Sequence, residues 1–148
     1  MKIDETDRKI IGLLHENARR SNAEIARTIG VSEATVRRRI KIMVSEDVLA
    51  VRAVPDPGKF GFNASAMIGI DVQPDMLESV ANALNKREEI VFLGVSTGRY
   101  DLLARLVVRD LNDLRDFLES FLAKVPGIRK TETMVLLDVK KRSYGRIV

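Results

Sequence analysis

The chain has 148 residues, 45% of them hydrophobic and 31% charged, with a net charge of +4, which leaves room for one ordinary domain or two small ones. It has no cysteine and a single histidine, His15, which excludes disulfides, thiolate metal sites and His-rich metal sites. Every apolar run breaks within about ten residues, short of the ~20 that a membrane-spanning helix needs, and "MKIDETDRKI" carries acids where a secretory signal would be basic and then apolar. A soluble cytoplasmic protein without metal or cofactor is the expectation.

The N-terminal third reads as three helices. Asp4, with Asp7 three residues on, has the spacing of a capping box, and Ile10, Ile11, Leu14 and Ala18 follow at helical intervals. Ser21 caps a short second helix whose apolar side is Ile25, Ala26 and Ile29, closed by Gly30. Ser32 then caps a third helix with a stripe of Val36, Ile40, Met43 and Val44. A short helix, a tight Gly turn and a longer basic helix make a helix-turn-helix.

The charge on this segment is one-sided. Residues 19–41 hold seven basic groups against two acids, whereas residues 56–148 hold fourteen against thirteen, so an anionic partner is expected for the N-terminal part alone. If Val36 and Ile40 point inward, 100° steps place Ala34, Arg38, Lys41 and Ser45 on the opposite side. Thr35 and Ile42 stand beside that face, and Arg37 and Arg39 on its flanks. No acid occurs between Glu33 and Glu46, although a merely solvated helix face would mix Glu with its cations. Small residues admit close approach and long cations reach bases or phosphates, so this face reads as a DNA contact. Val48–Val54 alternates in strand fashion and reads as a wing.

"VPDPGKFGFN" (54–63), with two prolines and two glycines, reads as a linker. After it, "SAMIGIDV" (65–72) reads as a strand with Ala66, Ile68, Ile70 and Val72 on one face. Pro74 opens a helix carrying Leu77, Val80, Ala81 and Leu84. "IVFLGVST" (90–97) and "LLARLVV" (102–108) are strands joined across "GRYD" (98–101). Asp110 caps a helix striped by Leu111, Leu114, Leu118, Phe121 and Leu122, and "TETMVLLDV" (131–139) is the last strand. The order βαββαβ is the ferredoxin-like plan, so the chain is expected to be α+β.

Two helices cover one face of a four-stranded sheet, yet Met67, Phe92, Leu103 and Val107 sit out of phase with the inward set, and "MVLL" (134–137) is apolar on both sides. A second apolar face calls for burial, and a second copy of the chain is the simplest cover.

A basic helix-turn-helix, a Pro/Gly linker and a βαββαβ domain together resemble the Lrp/AsnC (feast/famine) family of transcription regulators. "DETDRKIIGLLHENAR" (4–19), "EIARTIGVSEATVRRRI" (24–40), "GRYD" (98–101) and "VPGIRKTETMVLL" (125–137) carry the resemblance. It implies a helix-turn-helix domain over 1–54, a linker over 55–63, and an effector-binding and oligomerisation domain over 64–148. Double-stranded DNA would be bound by a homodimer or higher homo-oligomer, under control of a small effector such as an amino acid. The DNA-reading helix would run from Ser32 to Val44, with Ser32, Ala34, Thr35, Arg37, Arg38, Arg39, Lys41 and Ile42 at the interface.

The same resemblance places an effector pocket on Gly98, Tyr100 and Asp101 and on Thr133, Met134 and Val135. A plain hairpin turn, with Gly98 at positive φ and Asp101 bonded locally, explains "GRYD" equally well. Arg99 stands where many members carry an acidic or small polar residue, and Asp47 where the family usually has Gly. A sensor or assembly partner that does not touch DNA is the alternative function. Catalysis is the other class: the chain has no Cys nucleophile, no phosphate loop and no His–acid metal spacing, and no residue is assigned a catalytic role.

Overall fold

The computed structural model describes residues 2–141, which fall into two compact units that divide between Val54 and Pro55. The first unit is built from α1 (Glu5–Glu16), α2 (Asn22–Ile29) and α3 (Glu33–Ser45). Side chains cap each helix start. Asp4 and Asp7 form a reciprocal capping box on α1, Ser21 and Glu24 form another on α2, and Ser32 accepts from the Thr35 N–H on α3. Gly30 closes α2 at φ 75°, a conformation glycine adopts without strain. Ile10, Leu14, Ile25, Ala26, Val36 and Met43 form the buried core, flanked by Ile11, Ile29, Ile40, Val48 and Leu49.

Three expectations for this unit need correction. Val44 is exposed, because the buried line of α3 centres on Val36 and Met43, which turns position 44 outward. Ala18 lies beyond the end of α1, where it is also exposed. Residues 48–54 form no strand; an extended segment without a neighbour has no ladder to complete, and Val51 and Val54 stay exposed. Asp47 takes φ 54° just past α3, the left-handed step for which glycine is the usual residue.

The second unit contains β1 (Ala64–Val72), α4 (Leu77–Asn85), β2 (Ile90–Val95), β3 (Leu102–Val108), α5 (Leu111–Asp116) and β4 (Ile128–Val135). The sheet order is β2-β3-β1-β4 with every pairing antiparallel, the arrangement that βαββαβ connectivity gives. Ala64, Ala66, Ile68, Ile70 and Val72 of β1 and Leu102, Ala104, Leu106 and Val108 of β3 point to the helices. There they pack with Val80, Leu84, Leu114, Phe117 and Leu122.

Two boundaries shift from expectation. After α5 the chain makes a widened π-helical turn over Phe117–Phe121 and a 3-10 turn over Leu122–Lys124. Phe117, one turn after Leu114 on the same side, enters the core, while Leu111 at the start of α5 is exposed. β4 occupies 128–135 rather than 131–139, and Leu137 is almost wholly exposed.

The opposite sheet face carries Met67, Leu103, Val107, Phe92 and Met134. Met67 stands opposite Met134 across β1–β4, and Phe92 opposite Arg105 across β2–β3. Phe92 and Met134 are exposed. Arg105 adds a charge among these apolar side chains, on a face that also carries Asp71, Lys130 and Glu132 toward β4; its Nε lies 3.5 Å from Ser65 Oγ.

Candidate functional site

The three arginines of α3 have three different environments. Arg37 Nη2 pairs with Glu33 Oε1 at 2.6 Å, one turn back on the same helix. Both side chains are largely exposed, so this pair is weak and easily exchanged for another anion. Arg38 is exposed and makes no ion pair among the described residues. Arg39 turns inward: its Nη1 lies 2.6 Å from Asp4 Oδ2 and 3.0 Å from Asp7 Oδ1. The absence of acids between positions 33 and 46 therefore overstates the free charge, because the acids that answer Arg39 lie more than thirty residues away. Arg39, expected on the flank of the outward face, is instead held against the start of α1.

Ala34, Arg38, Lys41 and Ser45 do share the exposed side, with Ile42 beside them. Thr35 is half-buried and Ser32 exposed at the helix start, their hydroxyls 2.8 Å apart. The face thus offers two long cations, small residues between them and one apolar side chain. Arg and Lys can donate to guanine O6 and N7 or to phosphate, and Ala and Ile can meet a thymine methyl.

The turn between β2 and β3 is sewn to β1. The Asp101 N–H donates to Ile70 O at 3.0 Å, its carbonyl accepts from Ser96 N–H at 2.9 Å, and its carboxylate accepts from Val72 N–H at 2.7 Å. The carboxylate therefore already has a backbone partner. Gly98 is not among the glycines at positive φ, and a Cβ there would meet only Ser96 Oγ, at 3.6 Å. The expectation that Gly98 needs a left-handed backbone is corrected.

Tyr100 lies over Gly69 in the middle of β1 and reaches across it to β4, where its hydroxyl donates to Glu132 Oε2. Arg99 Nη2 stands 3.3 Å from the same oxygen. The Tyr100 phenol is held above its usual pKa, chiefly by the hydrogen bond to Glu132, and that same bond lowers the Glu132 carboxyl. Sequence spacing did not bring Gly69 or Glu132 into this cluster; a glycine inside a strand was the available signal.

Strand alternation separates the remaining expected effector residues. Met134 shares the Tyr100–Glu132 face, whereas Thr133 pairs with Ile68 and Val135 with Ala66 on the helix side. Thr133 there lines a hollow of about 280 Å³ with Leu118, Leu122 and Ile128. Within one chain the six residues do not converge on one cavity. Among the described residues, no cluster of three His, Asp or Glu side chains could hold a metal, and no helix is long and apolar enough to cross a membrane.

Residues 3–44 match the AsnC-type helix-turn-helix domain, and residues 65–145 match the Lrp/AsnC ligand binding domain. An HTH-type transcriptional regulator of Pyrococcus furiosus is 40% identical over 98% of this chain and 99% of its own. The regulator Ptr1 of Methanocaldococcus jannaschii is 36% identical, covering 94% of this chain and 95% of its own. The structure of Escherichia coli AsnC superposes with a TM-score of 0.87 at 26% identity, over 97% of each chain. The chain belongs to the Lrp/AsnC family of transcriptional regulators.

Proposed function

We propose that this regulator reads double-stranded DNA with the outward side of α3 and acts by binding, without a catalytic step. Arg38 and Lys41 are the principal contacts, Ala34 and Ile42 the close-approach surface, and Ser32, Thr35 and Arg37 the backbone-facing flank. The carrying observation is that Arg38 projects from α3 with no ionic partner among the described residues, while its two arginine neighbours are engaged. In this reading residues 1–54 bind DNA, 55–63 link, and 64–148 assemble the protein and receive an effector in the cytoplasm; residues 142–148 lie outside the described ones.

The proposed assembly is a homodimer through the apolar sheet face, because Phe92 and Met134 are exposed beside Met67, Leu103 and Val107. Apolar burial at about 25 cal/mol per Å² makes such a patch a strong association surface. The proposed effector is a small molecule such as an amino acid, received at the Gly98–Asp101 turn. The match to a ligand binding domain supports it. With Asp101 bonded to Val72, Glu132 is the nearer acid for an ammonium group on the Tyr100 face. The second half of the expected set, Thr133, Met134 and Val135, contributes from whichever face the second copy completes.

Selection of duplexes from a random-sequence library, with and without each amino acid, tests both parts. Enrichment of a pseudo-palindrome with half-sites about one helical turn apart, or a multiple of it, is expected. Enrichment of nothing above bulk DNA would favour a sensor that does not read sequence.

A further inference from the structure

The four carboxylate oxygens of Asp4 and Asp7 are divided without overlap. Asp4 Oδ1 accepts from Asp7 N–H at 2.9 Å and Asp7 Oδ2 accepts from Asp4 N–H at 3.1 Å, which closes the cap of α1. The two remaining oxygens both face Arg39 Nη1. Asp7 is fully buried, so its charge is tolerated only because each oxygen has a partner. The start of α1 and the middle of α3 thus share one hydrogen-bonded unit.

From this geometry we infer that Arg39 is a positioning residue for DNA reading: held by Asp4 and Asp7, it sets the roll of α3 about its own axis and so aims Arg38 and Lys41. The inference rests on α3 being the reading helix. Val36 and Met43 anchor α3 along one apolar line, and apolar contact is non-directional. A polar tie 100° from Arg38 supplies the missing direction. A roll of about 20° would carry an atom about 5 Å from the axis through about 2 Å, enough to break a base-edge hydrogen bond. Backbone phosphates, met by flexible cations in a general field, tolerate such a shift far better.

The test separates aim from charge and from stability. Three variants are compared with the wild type at a temperature where circular dichroism shows each folded: Asp4→Asn, Arg39→Met and Arg39→Lys. Asn caps a helix as well as Asp, so Asp4→Asn keeps the fold decisive even where Arg39→Met does not fold. The probes are a duplex enriched by the wild type from a random library and sheared bulk genomic DNA.

Asp4→Asn and Arg39→Met are expected to lose roughly tenfold on the enriched duplex, the scale of one base contact. Both should keep bulk-DNA affinity and the salt slope. Arg39→Lys, whose ammonium can still bridge both carboxylates, is expected to restore most of the preference. A parallel loss on both probes with a salt slope smaller by about one would make Arg39 a phosphate contact instead. An unchanged ratio of the two affinities with a lowered melting temperature would make the pair structural only. Either result overturns the inference. If the wild type enriches no duplex, α3 is not a sequence reader and the positioning role falls with it.

Discussion

Tyr100 occupies the space above Gly69: a Cβ at position 69 would stand 2.6 Å from the Tyr100 Cγ and 2.7 Å from its Cε2. The ring crosses the buried central strand β1 only because that strand has no side chain there, and its hydroxyl then meets Glu132 on β4. Gly69→Ala is therefore expected to push the ring aside and cost about 1–3 kcal/mol, the usual range for overpacking. In a double-mutant cycle by urea unfolding, pairing it with Tyr100→Ala should recover most of that cost. Additive losses would mean that the two positions do not compete for one volume.

The Asp101 carboxylate acts first on the fold. Val72 is buried, so Asp101→Ala leaves its N–H without an acceptor and should destabilise the second unit by about 1–3 kcal/mol. Asp101→Asn, which keeps an acceptor oxygen, should cost less. Equal costs for the two would show that the hydrogen bond is dispensable.

The cap of α1 sets an acid limit. The Asp7 backbone N–H, then Arg39, hold the Asp4 carboxyl below its usual range. A depressed carboxylate pKa gives stability that is fully present above the unfolded value, about 4, and is lost as pH falls through the folded value. The first unit should thus keep this contribution from about pH 5 upward and lose it below about pH 4. Asp4→Asn should differ from the wild type at neutral pH and converge with it only as the pH falls through the lowered Asp4 value, as read by thermal melts. A difference that persists unchanged in acid would contradict the ionic origin.

Asp47, at φ 54°, should accept glycine readily. Asp47→Gly is expected to change stability by less than about 1 kcal/mol, and Asp47→Val to destabilise by about 1–2 kcal/mol, because a β-branched residue resists the left-handed region. A neutral Asp47→Val would place this step elsewhere in solution.

Much of this architecture is legible locally, and the failures share a cause. Ser21, Ser32 and Asp4 signal helix starts through partners three residues away, and the Ile68/Ile70 alternation signals a strand face. Arg39 was misplaced because its partners, Asp4 and Asp7, are distant in sequence. Its side of α3 also depends on whether Ile40 or Met43 centres the buried line, about 60° apart at 100° per residue. The wing failed because alternation reports strand propensity and not a pairing partner. The GRYD turn joins β2 and β3 as the flanking strands imply, but the partners of Asp101, Ile70 and Val72 on β1, are about thirty residues away and are not legible in local spacing.

Association should depend on the exposed sheet residues. Phe92→Glu or Met134→Glu is expected to shift the protein toward monomer in sedimentation experiments at micromolar concentration while leaving the helical unit folded. A wild type that is itself monomeric under those conditions would refute assembly through this face.

Arg38 on the outward side of α3 is proposed to touch DNA, and titration of Arg38→Ala against the wild-type-enriched duplex at several salt concentrations decides whether it does. A contact to a guanine edge predicts a loss of about 1–3 kcal/mol with relaxed preference at one base pair. A contact to phosphate predicts a uniform loss across sequences and a salt slope smaller by about one. Unchanged affinity together with an unchanged salt slope would show that Arg38 does not touch DNA.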